Sequence, residues 1–196
     1  MALILVTGPD VEPVSKAEAK LHCRVDISDD DDLITALIVA ARELCETITQ
    51  RALITQTWDL VMDDWPGGDV LSLPLAPLQS ITSISYTDED GNSDTFSADN
   101  YVTDTESQPG RAALKSTASW PSTTLQEIAG VRVRFVAGYG DAGSDVPQSI
   151  RQAMLLLIGH WYEQREAIVT SGAVPQEVPF AVQALLATHR MYVRPL

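Results

Sequence analysis

The sequence predicts an α+β protein, and three observations carry that expectation. Apolar residues recur at helical spacing towards both ends, strand-like runs broken by turn residues fill the middle, and 196 residues at 45% hydrophobic content can bury a sizeable core. Residues 1–146 hold 24 acids against 9 bases, whereas 147–196 hold 3 against 4. A nearly neutral, apolar helical end on an acidic chain points to burial, inside the protomer or against another chain.

The opening "MALILVTGPD" is apolar, but too short and without the basic start of a signal peptide. No run reaches the length of a membrane span. Ser15 and Glu18 stand in capping-box spacing and predict a short helix over about 16–23. A second helix follows in "SDDDDLITALIVAARELCETITQRAL". There Ser28 is a candidate cap, and Asp29 to Asp32 fall where the helix dipole favours negative charge. Leu33, Leu37, Ala41, Leu44 and Ile48 recur on one stripe, with Ile34, Ile38, Cys45 and Ala52 beside them.

From Thr55 to about Gly138 the period changes. "TWDLVMDDWPGG", "VLSLPLAP", "SITSISYTDEDGN", "YVTD" and "VRVRFVAG" read as strands of a small antiparallel sheet, with Asp90-Gly91 as a hairpin turn. Pro74, Pro77, Pro109 and Pro121 suit edges and loops. After Pro147 the helical pattern returns. Ile150, Met154, Leu157, Ile158 and Trp161 form a stripe, while Leu155 and Leu156 lie outside it, so this helix is apolar nearly all round. "SGAVPQEVP" is expected to be a loop and "PFAVQALLATHRM" a last helix, followed by the tail "YVRPL".

The net charge of −14 argues against a surface that grips nucleic acid, because phosphate binding is driven by Lys and Arg displacing counterions. Cys23 and Cys45 form neither a CxxC motif nor a disulfide framework, which fits a reducing cytoplasm. "GYGDAG" places Gly138, Gly140 and Gly143 in dinucleotide-fingerprint spacing, but Pro147 delays the helix and no second parallel strand follows. "DEDGNSD" lacks the first and last ligands of a calcium loop. His160 and Glu163 sit three apart on "LLLIGHWYEQRE" without further ligands to complete a metal site. The chain shows no P-loop, HExxH or Gly-x-Ser-x-Gly elbow. No cofactor and no metal are expected from these residues.

The order of features carries more than any single motif. "AARELCETITQRALITQTWDL", "LPLAPLQSITSISYTDEDG", "VRVRFVAGYG", "VPQSIRQAMLLLIGHWYEQRE" and "VPFAVQALLATHR" together resemble the phage head-tail connector proteins, from about Val14 to Arg190. The resemblance implies a mainly helical bundle of about four helices with an inserted small antiparallel β domain. The corresponding division is N-terminal helices over 1–54, a β-rich insertion over 55–140, and C-terminal helices over 141–196 that complete a single adaptor domain. It also implies a structural virion protein of the neck, made in the bacterial host cytoplasm. Such a protein forms a ring of roughly twelve copies beneath the portal protein. Double-stranded genomic DNA passes through without specific binding, and the lower face meets a neck or tail-completion protein.

On that reading the subunit interface is expected at Ala41, Leu44, Ile48, Met154, Leu157, Ile158, Trp161 and Tyr162. The acidic channel wall is expected at Asp29, Asp30, Asp31 and Asp32, and the portal-docking tail at Arg190, Met191, Tyr192, Val193, Arg194, Pro195 and Leu196. The competing readings are another neck protein, such as a tail terminator, and a metal-dependent hydrolase using Asp29 to Asp32 with His160 and Glu163.

Overall fold

The computed structural model describes residues 1–164 and 180–191. They fall into two compact units. A β unit comprises Met1–Pro9, Thr55–Tyr139 and Met191, and a helical unit comprises Asp10–Ile54 with residues 140–164 and 180–190.

The β unit is built on a five-stranded antiparallel sheet in the order β1-β2-β8-β4-β5. Its strands are β1 (Ala2–Thr7), β2 (Gln56–Met62), β4 (Leu78–Thr87), β5 (Ser93–Phe96) and β8 (Val131–Ala137). A second sheet of three strands runs β3 (Val70–Ser72), β7 (Arg111–Leu114) and β6 (Tyr101–Asp104). Along β8, Val131, Val133, Phe135 and Ala137 are buried while Arg132 is exposed and Arg134 and Val136 are half-exposed; this alternation gives a sheet one packed face. Leu60, Ile84 and Leu78 complete that core with Leu71 and Leu73. At one end Trp65 stacks on Trp120 with ring centroids 4.8 Å apart, and Tyr86 and Phe96 pack against Trp65.

The β4–β5 hairpin turns where expected. Gly91 takes φ +84°, a conformation open to glycine, and the Asp88 carboxylate accepts from the Asp90 and Asn92 amides at 3.0 and 2.8 Å. The four prolines predicted for edges and loops all lie outside the strands.

The helical unit contains α1 (Lys16–Cys23), α2 (Asp31–Thr49), α3 (Gln148–Glu163) and α4 (Phe180–Ala187). α1 opens on the predicted capping box: Ser15 Oγ accepts from the Glu18 amide, and the Glu18 carboxylate accepts from the Ser15 amide. α2 starts later than the acid run suggests. Asp30 is its cap position and makes no side-chain capping bond, while Ser28 contributes only its carbonyl, to the Asp31 amide. Ala19, Ile34, Ile38, Ala41 and Cys45 meet Ile150, Ala153, Met154, Leu157 and Ile158 of α3, with Val182 and Leu186 of α4, in one buried core.

The expectation of a mainly helical bundle carrying a small β insertion is not met. Among the described residues the four helices stand beside eight strands in two antiparallel sheets, so the fold is mixed and its β part is no minor insert. Three strands escaped the sequence pattern. β1 has no alternation to betray it, β7 ("RAAL") lacks β-branched and aromatic residues, and β5 ("SDTF") carries a single apolar residue.

Candidate assembly surfaces

The helical unit sorts the expected interface residues into two groups. Ala41, Met154, Leu157 and Ile158 are fully buried in the core of their own chain, so they present no surface to another. Leu44, Ile48, Trp161 and Tyr162 are half-buried. The reason is a rotation of the stripe on α2: Ile34, Ile38, Ala41 and Cys45 face inward, which leaves Leu33, Leu37, Leu44 and Ile48 as a second apolar strip at the margin. On α3, Leu155, Leu156, Trp161 and Tyr162 remain partly accessible in the same way.

Charged groups brace this unit from within. Arg42 is 8% exposed, and donates to Glu12 at 2.9 Å and to Glu46 at 2.8 Å. The other Glu46 oxygen accepts from the Leu53 amide at 2.9 Å. Burial pushes the Glu12 carboxyl above its ordinary range, against the pull of the Arg42 charge. Arg151 ties the start of α3 to α1 and the chain before it, donating to the Pro13 carbonyl at 2.9 Å and to the Glu18 carboxylate.

Two of the four acids assigned to the channel wall have internal partners. Asp31 receives Lys16 at 2.8 Å and Lys20 at 2.6 Å, and the hydrogen bonds from these two lysines hold its carboxyl below the usual range. Asp30 accepts from the Tyr162 hydroxyl at 2.6 Å. Asp29 and Asp32 are exposed. His160 is half-buried and Glu163 exposed on the last turn of α3. Among the described residues, no group of three His, Cys, Asp or Glu side chains is placed to hold a metal.

The "GYGDAG" glycines form a tight passage from β8 to α3. A Cβ on Gly143 would lie 2.7 Å from the Pro13 carbonyl oxygen, so the residue is dictated by close backbone approach. The sheet to which β8 belongs is antiparallel, and among the described residues no dinucleotide crevice of the parallel-strand type arises.

Two polar constellations have no counterpart in the sequence reading. Asp59 on β2 is 3% exposed and accepts from Arg132 at 3.0 Å and from Arg134 at 2.8 and 2.9 Å. Hydrogen bonding from Arg134, then from Arg132, holds its carboxyl below the usual range. In the helical unit, Ser149 Oγ and His189 Nε2 share a hydrogen bond of 2.6 Å. A serine beside a histidine has the outline of a nucleophile and its base. Here, however, the third partner is Arg51, which donates to the His189 carbonyl at 2.6 Å. Burial, then the Arg51 charge, lowers the imidazole's proton affinity, the opposite of what an orienting carboxylate does. The pair fastens the end of α4 to the first turn of α3. Neither constellation was legible, because each depends on partners 40 to 75 residues apart.

The tail expectation falls mostly outside the described residues. Arg190 is exposed and Met191 is buried at 8% exposure, while Tyr192, Val193, Arg194, Pro195 and Leu196 lie beyond them. No helix among the described residues is long and apolar enough to cross a membrane.

The comparisons with known proteins cover almost the whole chain. A family described as "Head completion protein" matches residues 14–192. Three solved structures cover 100% of this chain and 98% of their own. These are the "Neck of empty GTA particle computed with C6 symmetry" (28% identity, TM-score 0.82), the "Virion of native gene transfer agent (GTA) particle" (28%, 0.81) and the "Neck of native GTA particle computed with C12 symmetry" (29%, 0.79). No curated protein matches the chain.

Proposed function

This chain belongs to the head completion protein family, and on that premise we propose that it is a structural head-tail connector in the neck of a phage or phage-like particle. The observation that carries this reading is end-to-end similarity to chains of gene transfer agent necks and virions, at 28–29% identity and TM-scores of 0.79–0.82. Its work is assembly, and the partly exposed apolar strips on α2 and α3 supply adhesive surface of the kind a subunit contact needs.

In finer detail, the chain forms a ring of about twelve copies below the portal protein, extends the DNA channel and presents its lower face to the next neck or tail-completion protein. Necks computed with C6 and C12 symmetry support a repeat of that order. Leu44, Ile48, Trp161 and Tyr162 remain the helical interface candidates. The channel wall is acidic, with Asp29 and Asp32 facing solvent, and DNA slides past because such a wall offers phosphates no counterion-releasing contact. The tail reaches into the portal and supplies the docking contact. Transcribed to an experiment, deleting residues 192–196 removes portal binding in a pull-down while the thermal melt stays unchanged. Undiminished binding by the truncated chain would remove the tail from the docking contact. Binding to the tail tube in preference to the portal would favour a tail terminator.

A further inference from the structure

We propose that β1 is a subunit contact: its exposed apolar edge receives a different surface of a second copy of this chain in the ring. The inference rests on the neck reading above and adds a named contact to it.

Among the described residues, β1 lies at the edge of the five-stranded sheet and is paired on one side only, with β2. Every residue of Ala2–Thr7 is exposed, including Leu3 at 37%, Ile4 at 46%, Leu5 at 48% and Val6 at 42%. Adjacent residues of a strand point to opposite faces, so this ribbon is apolar and open on both. Sheet edges are ordinarily protected by charge, proline or a covering element, because their outward N–H and C=O groups invite another strand. β1 has no charged residue, and Pro9 comes only after it ends. Its one blunting feature is a register shift between Leu5 and Thr7.

Charge decides between a second copy and a chance apolar patch. Each copy carries a formal charge of −14, so copies repel wherever acids face one another. Residues 1–9 contain no ionisable side chain. The other large exposed apolar residues are scattered through the chain, and four of them adjoin an acid: Val11 lies between Asp10 and Glu12, Ile27 follows Asp26, Val70 follows Asp69 and Ile128 follows Glu127, while Leu21, Val102 and Phe180 stand in three separate elements. Among the described residues, β1 is the one run of more than two consecutive exposed apolar side chains, and it is where two such copies approach with least repulsion. Ring closure is head-to-tail, so β1 meets a different surface of its neighbour; pairing β1 with β1 would stop at a two-fold dimer.

The test is sedimentation equilibrium of the full chain up to about 1 mM, the weakest contact worth considering for a ring. Ile4→Lys/Leu5→Lys places one charge on each face of β1, and Leu21→Lys serves as control because Leu21 is 81% exposed and belongs to α1 of the helical unit. The expected result is association beyond a dimer by the wild type and the control, and association at least about tenfold weaker in the double variant with an unchanged melt. As a readout independent of any variant, the β1 amides of the wild type should exchange more slowly with solvent as concentration rises. Unweakened association of the double variant, concentration-independent exchange, a wild type that stops at a dimer, or one that stays monomeric would each overturn the inference. A monomer that still binds the portal would leave the neck reading standing, which separates the two failures.

Discussion

Asp59 shows how a single buried charge is held. Its carboxylate sits 3% exposed on β2 with three hydrogen bonds from Arg132 and Arg134. Asp59→Asn should cost about 1–2 kcal/mol at neutral pH, less than a fully buried pair because both guanidinium groups reach solvent. The folded carboxyl titrates below its unfolded value, so its contribution is complete above about pH 4 and disappears as pH falls through the folded pKa. Urea denaturation of both proteins between neutral pH and about pH 3 should show the gap narrowing as pH drops; a gap that stays constant would refute the assignment. The cysteines differ in kind. Burial pushes the Cys45 thiol up to about 12, whereas Cys23 is half-buried and raised less far, by burial and the nearby Glu163 charge. A maleimide should modify Cys23 in the native protein and reach Cys45 only on unfolding; equal native rates would contradict this. The sequence reveals that neither cysteine belongs to a motif, but partial exposure at one position and burial at the other come from tertiary packing.

At the scale of elements, α2 and α3 separate core from surface within a single apolar pattern. Leu157→Asp puts a charge into a fully buried site and should cost more than about 4 kcal/mol, enough to unfold a marginally stable chain. Leu44→Asp with Ile48→Asp touches half-buried positions. That pair should leave the circular dichroism spectrum native while weakening ring assembly at least about tenfold, and a ring that persists would remove the α2 strip from the interface. The sequence locates both helices, and α1 with its capping box, because 3.6-residue periodicity and a local cap need only neighbours in the chain. It does not fix which apolar residues turn inward. On α2 the stripe is broad, and a rotation of one residue exchanges Leu37 for Ile38 at the centre. The strands are legible where one face is packed, as in β8, and illegible in β1, whose two exposed faces impose no alternation.

For the whole molecule, the acidic balance and the order of segments suit an assembly role, and membership of the head completion protein family agrees with the neck role proposed above. The proportions of the fold were harder to foresee. A helical bundle with a small β insert was expected, but pairing of the opening residues with β2, 50 to 59 residues away, enlarges the β part into a five-stranded sheet beside a three-stranded one. Long-range pairing of this kind leaves no local trace in the sequence. The proposed function makes this chain a metal-free ring on a portal. Native mass spectrometry of the purified chain, alone and mixed with the portal assembly of its own particle, tests it most directly. The expected spectrum shows a complex carrying about twelve copies and no bound metal. A chain that ignores the portal and flies as a monomer with one stoichiometric metal ion would contradict it.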